Sequence, residues 1–477
     1  MGGRAVPVAV AALAGAGVAG RLALLVSDVG ALDGDEAAWG TMARHVLDGE
    51  LSAFFWGQNY GGTQEVLLTA AVFALTGSSV NALRVVPILL FAVAALLTWR
   101  VGIRTVGEPY ARLGAAAFWA WSPYVLWKST RAHGFYGAGL VLGLTVVLLA
   151  LRLAERPGRR DAVLLGLAFG LAWWATPQAM VLAGPAVAWL AWCRRDLLRH
   201  AWLPAAAAVV GALPWLVANV RNDWYSLSSP PAGGTAFDRL QNLAVTTLPS
   251  ALGLRLPFTL DWVLGPVVGV VLYAAALAAL AYVVVRRRRL GPLALSLLLF
   301  PLFYAAAPYA WLITEPRYLV FLGPVLALAL VAAPGAPLRG AAVACGLGVL
   351  SVVGVAQLAG RDPPVVVVDG VQMASGIEPV LRLLEAHDVR HAYASYWIAW
   401  RIVFETEEER IAVPEAPPSR PDEQGRYPRF YARVAASQDV AHVFLRGSNR
   451  ERSQRRALLG AGFRRVEAGE YVVFVPG

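Results

Sequence analysis

The stretch LDGDEAAWG at 32–40 sets three carboxylates, Asp33, Asp35 and Glu36, directly after an apolar run long enough to cross a membrane. A carboxylate can act as general base toward a hydroxyl, and neighbouring carboxylates such as Asp33 and Asp35 can hold Mg2+ or Mn2+. GQNYGGTQE (57–65) adds Tyr60 and Glu65. Cations gather in WKSTRAHGFY (127–136), which carries Lys128, Arg131 and His133, and in ITEPRY (313–318), which carries Glu315, Arg317 and Tyr318. Arginine and lysine clamp phosphate, arginine through a planar bidentate fork.

These residues sit in a greasy chain. Of its 477 residues 58% are hydrophobic, against about 45–50% in soluble domains. The formal charge of +10 does not point to nucleic acid, because the arginines cluster between apolar runs, where cytoplasmic loops need positive charge. Lys128 is the only lysine. The two cysteines, Cys193 and Cys345, fall at a helix end and inside a span, so no disulfide framework is expected.

A span needs about 20 apolar residues. Eleven candidates are read near 5–27, 82–103, 111–128, 135–153, 161–176, 178–193, 200–219, 261–285, 291–309, 317–334 and 338–358. One set of connecting loops carries Arg100, Arg104 and Arg112; Arg152, Arg156, Arg159 and Arg160; Arg194, Arg195 and Arg199; Arg286 to Arg289; and Arg339. The positive-inside rule makes that set cytoplasmic. The N-terminus is then cytoplasmic, residues 28–81 form one long external loop, and the C-terminus is external. EVLLTAAVFALTG (65–77) is too short to span and reads as an interfacial or re-entrant helix.

From about residue 361 the pattern changes. VVVVDG (365–370), HAYASY (391–396), RIAVP (410–414) and AHVFLRG (441–447) read as strands. Residues 376–389 and 450–460 read as helices, and a hairpin-like segment ends the chain. The expected fold is therefore mainly α, a polytopic membrane domain over 1–360 with a small extracytoplasmic α/β domain over 361–477. EAPPSRPDEQGRYPR (415–429) reads as a Pro-rich polar loop.

Each polar residue also has a purely structural role open to it. Asp35 and Glu36 suit the N-cap and first turn of the following helix, where the dipole favours acids. Glu65 begins a helix in the same way. Arg317 suits a snorkelling anchor, and Lys128, Arg131 and His133 suit interfacial charges. Arg21, inside the first span, suits pairing with Asp28 or Asp33. Against this, ionisable residues at membrane depth are costly and mark function more often than not. A base beside a phosphate clamp at a membrane surface suits transfer of a group from a lipid-linked phosphate to an acceptor hydroxyl.

Several segments in order resemble the GT-C polytopic glycosyltransferases that use lipid-phosphate sugars. Those include the protein O-mannosyltransferases, the aminoarabinose transferases of lipid A and the rhizobial galacturonosyltransferase type. DEAAWGTMARHVLDGE (35–50) resembles their Asp-Glu motif and the helix after it. TGSSVNALRVVP (76–87) resembles the start of their second span, and SPYVLWKSTRAHGFYGAGL and EPRYLVFLGP resemble two later segments. The likeness covers roughly 1–335. It implies Asp35 as catalytic base with Glu36 beside it, and Arg317 near the donor phosphate. It also implies a polyprenyl-phosphate sugar donor, an acceptor glycan, lipid or protein, and a place in the bacterial inner membrane. The chain departs from that pattern at GGTQE (61–65), where relatives carry Pro-Pro or Glu-Lys-Pro. It departs again at Lys128, Arg131 and His133, where some carry Asp. Two other classes stay open: a lipid-linked-saccharide flippase, which calls for charges along a path through the spans and inverted repeats, and a non-catalytic envelope assembly protein, which tolerates Asp35→Asn. The topology makes a direct prediction: a reporter active only outside the cytoplasmic membrane gives signal when fused at residue 361, and silence there contradicts eleven spans.

Overall fold

The computed structural model describes residues 2–228, 233–286, 290–307, 314–360, 365–368, 371–415 and 426–477. Arg287 to Arg289, Asp369, Gly370 and most of the Pro-rich loop lie outside the described residues. The chain forms two compact units. One holds residues 1–24, 87–130 and 135–360; the other holds 25–86, 131–134 and 361–477.

The first unit is helical. Every apolar run becomes a helix or a helix pair. Gly2–Val26, Val80–Thr105, Tyr136–Glu155, Pro266–Arg286 and Pro337–Ala359 are long and apolar enough to cross a membrane, and Trp202–Gly211 with Leu213–Arg221 makes a sixth if this pair, bent by 62°, is one span. Pro177–Cys193, Pro292–Ala306 and Arg317–Ala332 are shorter apolar helical segments. The run at 111–128 divides into Glu108–Ala120 and the fully buried Pro123–Lys128. The chain is a multi-pass membrane protein by these helices.

Side chains alone do not hold membrane helices together, because lipid is as apolar as they are; close backbone approach does. GLAFG at 166–170 is a small-xxx-small pair on Arg159–Ala175. A Cβ on Gly166 would collide with the carbonyl of Pro204, and one on Gly170 with that of Ala208. Gly211 returns the fit, lying against the carbonyl of Leu167.

The second unit joins the long loop to the C-terminal segment. The C-terminal part contains a hairpin of β1 (Val365–Val368) and β2 (Val371–Ala374), then β3 (His391–Ala394), β4 (Ile411–Val413), β5 (Val440–Leu445), β6 (Arg464–Ala468) and β7 (Tyr471–Val475). The five-stranded sheet runs β4-β3-β5-β7-β6. β3 is parallel to β4 and β5, whereas β7 is antiparallel to β5 and β6. The parallel steps require crossovers. Tyr396–Glu405 supplies the one between β3 and β4. Ala392, Val443, Tyr471 and Val473 of the sheet and Ile398 and Ile402 of that helix share one apolar core. The strand β2 and the helices Tyr396–Glu405 and Pro428–Ala435 were not expected from sequence.

The loop part contributes Gly34–Leu47 and Gln64–Thr76, which pack on each other. Gly34–Leu47 also packs against Tyr396–Glu405. Gly40 makes that approach feasible: a Cβ there would collide with the ring of Phe404. In the first unit, Gly170→Leu should separate Arg159–Ala175 from Trp202–Gly211 and lower the unfolding free energy in detergent by about 2 kcal/mol or more. Gly184→Leu, where an added Cβ meets nothing within 4 Å, serves as the control.

Candidate active site

The three acids of the opening motif lie within four residues and have three separate environments, all inside the second unit. Asp33 is the N-cap of Gly34–Leu47. Its Oδ1 accepts from the Glu36 backbone N–H at 2.9 Å, and its Oδ2 meets His133 Nε2 at 2.5 Å. The capping role expected of Asp35 or Glu36 thus falls to Asp33. The carboxyl is fully buried. Burial opposes its charge, but His133 and Arg131 overcome burial and hold its pKa below the usual carboxylate range.

Glu36 faces the interior. Its Oε1 accepts from Arg84 Nε at 3.0 Å and from the Ala132 N–H at 3.1 Å. Its Oε2 accepts from Arg84 Nη2 at 2.7 Å and Arg131 Nη1 at 2.5 Å. Burial raises the cost of ionising it, and the two guanidinium groups outweigh burial, so its pKa is lowered. Arg131 also ties down the carbonyls of Val29 at 2.7 Å and Ala31 at 2.6 Å. Arg131 and His133, expected on a phosphate, are therefore engaged with the two buried acids. Four donors on one carboxylate leave it no lone pair for a substrate proton.

Asp35 is different. Its side chain is 33% exposed. Oδ1 accepts from Tyr396 Oη at 2.6 Å and from Arg426 Nη2 at 2.8 Å. Among the described residues no hydrogen bond reaches Oδ2. Arg426 rests 4.0 Å above the Phe55 ring and donates to the Trp56 carbonyl at 3.2 Å. The Trp56 ring stacks on Tyr427 at 4.3 Å, and Tyr427 Oη donates to Glu50 at 2.9 Å. Tyr60, half-buried, lies on the turn closed by the Phe54–Gly62 bridge. Glu65 is buried in the first turn of Gln64–Thr76.

The first unit has its own polar group. Glu315 is buried; its Oε2 accepts from Tyr124 Oη at 2.9 Å and lies 3.3 Å from Arg317 Nη2. Tyr318 meets Tyr304 edge to face at 6.1 Å. Lys128 ends Pro123–Lys128, buried, with its ammonium 4.2 Å above the Tyr136 ring. Arg21 is buried in Gly2–Val26 and donates to Ser129 Oγ at 2.9 Å and to the carbonyls of Gly17 and Trp119. The pairing with Asp28 or Asp33 that the sequence suggested is not among its bonds.

No resident cation suits Asp33 and Asp35. Both oxygens of Asp33 are engaged, Arg131 and Arg426 supply positive charge beside them, and among the described residues no group of three His, Cys, Asp or Glu could hold a metal ion.

Sequence reasoning missed Arg84, Tyr396 and Arg426. Arg84 carried a signal, a charge at the start of a long apolar run. Tyr396 and Arg426 carried none, since about 360 or more residues separate them from Asp35. Breaking the buried pair gives a sharp test. Glu36→Gln or Arg84→Ala should each cost about 3–5 kcal/mol of stability. Glu36→Gln/Arg84→Met should cost less than the sum of the single changes.

No protein-family model matches the sequence, and no curated protein matches it. Solved structures do match in fold. The apo structure of ArnT from Cupriavidus metallidurans superposes with a TM-score of 0.62 at 12% identity, covering 92% of this chain and 93% of that one. The same protein bound to undecaprenyl phosphate gives 0.63 at 13% identity, covering 98% and 97%. The Archaeoglobus fulgidus oligosaccharyltransferase gives 0.49 at 12%, covering 90% and 67%. With the helical unit, the mixed unit and the near-complete overlap, the chain shares the fold of ArnT.

Proposed function

We propose that the protein is a glycosyltransferase that moves a sugar from a polyprenyl-phosphate donor to an acceptor hydroxyl on the outer face of the bacterial inner membrane. The observation that carries this reading is the state of Asp35: partly exposed, with Oδ1 held by two donors and Oδ2 accepting no hydrogen bond among the described residues. A carboxylate so placed can take a proton from a hydroxyl. Its neighbours Asp33 and Glu36 are consumed by structure. The fold shared with ArnT, and the undecaprenyl phosphate that ArnT binds, support the lipid-phosphate part.

In this reading Oδ2 of Asp35 accepts the proton of the acceptor O–H as that oxygen attacks the anomeric carbon. The bond from that carbon to the phosphate oxygen breaks, and the lipid phosphate departs with its electron pair. Attack opposite the leaving group inverts the anomeric centre. The departing phosphate needs cations to neutralise it, a role that the resemblance gives to Arg317 and that suits Lys128 by its charge. The arginine-rich loops, cytoplasmic by the positive-inside rule, support sugar chemistry on the outer face. That location disfavours nucleotide-sugar donors, which are cytoplasmic. No step passes through a metal ion.

The test is transfer in proteoliposomes, with a panel of polyprenyl-phosphate sugars and a bacterial envelope extract as acceptor. Wild type should transfer sugar and release polyprenyl phosphate, with chelator present or absent. Asp35→Asn should lower kcat by about 1000-fold or more, the scale on which loss of a general base and its orientation acts. Equal transfer by the two proteins moves the base elsewhere, to Glu65 first.

A further inference from the structure

The base proposed above stands in the loop between the first and second long apolar helices, yet the groups that hold it come from the far end of the chain. Tyr396 opens the helix that crosses from β3 to β4, and Arg426 precedes Pro428–Ala435. We propose that Tyr396 and Arg426 are positioning residues that fix Oδ1 of Asp35, leaving Oδ2 to receive the proton. This inference rests on the reading of Asp35 as base.

The geometry is a short relay. Arg426 Nη2 donates to Asp35 Oδ1 at 2.8 Å, Arg426 Nε donates to Tyr396 Oη, and Tyr396 Oη donates to the same Oδ1 at 2.6 Å. Two donors on one oxygen fix the carboxylate plane and its rotation. A single donor would restrain rotation about the Cβ–Cγ bond less tightly. The relay is itself held. Arg426 is sandwiched between the Phe55 face at 4.0 Å and the Tyr396 ring at 4.9 Å, and its Nη1 is tied to the Trp56 carbonyl. Tyr396 is buried, and its backbone carbonyl lies so close to Gly34 that a side chain at 34 would press on it.

The chemistry fits a donor and not a competing acid. Burial, and then the Asp35 carboxylate, push the Tyr396 phenol well above its ordinary pKa despite the Arg426 cation. Tyr396 therefore keeps its proton and gives only a hydrogen bond. The C-terminal segment is then a working part of the site: it completes the base that the loop supplies.

The experiment uses the full-length protein in proteoliposomes with a polyprenyl-phosphate sugar that supports transfer. Tyr396→Phe, Arg426→Ala and Arg426→Lys are compared with wild type and Asp35→Asn. Expected is a fall in kcat of about 10-fold or more for Tyr396→Phe and Arg426→Ala, the scale of one hydrogen bond to a charged group. KM for donor and acceptor should stay within about twofold. Arg426→Lys should keep part of the rate. Millimolar guanidinium should restore part of the Arg426→Ala rate and none of the Asp35→Asn rate. A merely structural role predicts no such rescue.

Unchanged or increased kcat in Tyr396→Phe overturns the inference, as does a loss confined to KM. Tyr396→Phe keeps the ring and its packing, so it decides the matter if Arg426→Ala melts early. Failure of the inference and of the reading beneath it look different. If Asp35→Asn is inactive while the Tyr396 and Arg426 variants run at full rate, the inference alone falls. If Asp35→Asn transfers sugar normally, both fall.

Discussion

A buried carboxylate is tolerable only when cations and N–H groups surround it, and Glu36 is such a group. Arg84 grips it with two nitrogens, Arg131 with a third, and the Ala132 N–H closes the set. The node joins three pieces of sequence: the acidic helix, the start of the second long apolar helix, and the 131–134 turn. Arg131 carries the tie onward to the carbonyls of residues 29–31, which lead into the N-cap Asp33. The direction in which Gly34–Leu47 leaves the chain is set there. The position of Asp35 follows, because it sits one residue before Glu36 in the first helical turn and so points to another side.

That one-residue step separates the structural acid from the proposed base. In a helix neighbouring side chains diverge by about 100°, so Glu36 turns inward when Asp35 does not. Asp33, outside the helix, is free to cap it. A buried carboxylate with four donors makes a poor base, whereas a partly exposed one with a free oxygen makes a usable one. The helix Tyr396–Glu405 seals the other side, with Gly40 admitting Phe404 and Gly34 admitting Tyr396. The same closeness that packs the two helices delivers the Tyr396 hydroxyl to Asp35.

Much of this was legible in the sequence, for physical reasons. All eleven apolar runs became helices or helix pairs, because long apolar segments in lipid must satisfy their own backbone. HAYASY, RIAVP and AHVFLRG became β3, β4 and β5, short apolar runs bounded by turn residues. The opening acids could be picked out as a group, since the other apolar runs are flanked mainly by arginines and carboxylates are scarce there. Their division of labour could not be read, because it depends on which way each side chain points and on distant partners. Tyr396–Glu405 was missed because HAYASYWIAWRIVFE is mostly apolar without a clear period, which suits a buried strand and a buried helix equally. Arg426 was missed inside a Pro-rich stretch that shows no periodicity. The small-residue pair Gly166 and Gly170 carried a readable spacing that the span assignment did not use.

The most direct measurement sets two neighbouring acids against each other. Asp35→Asn and Glu36→Gln are purified in detergent, their unfolding is followed, and sugar transfer is measured after reconstitution. Expected is an Asp35→Asn protein that unfolds like wild type and transfers no sugar, beside a Glu36→Gln protein that unfolds far more readily. The opposite pairing, in which Asp35→Asn transfers sugar normally while stable Glu36→Gln does not, would contradict the assignment of chemistry to Asp35 and of structure to Glu36.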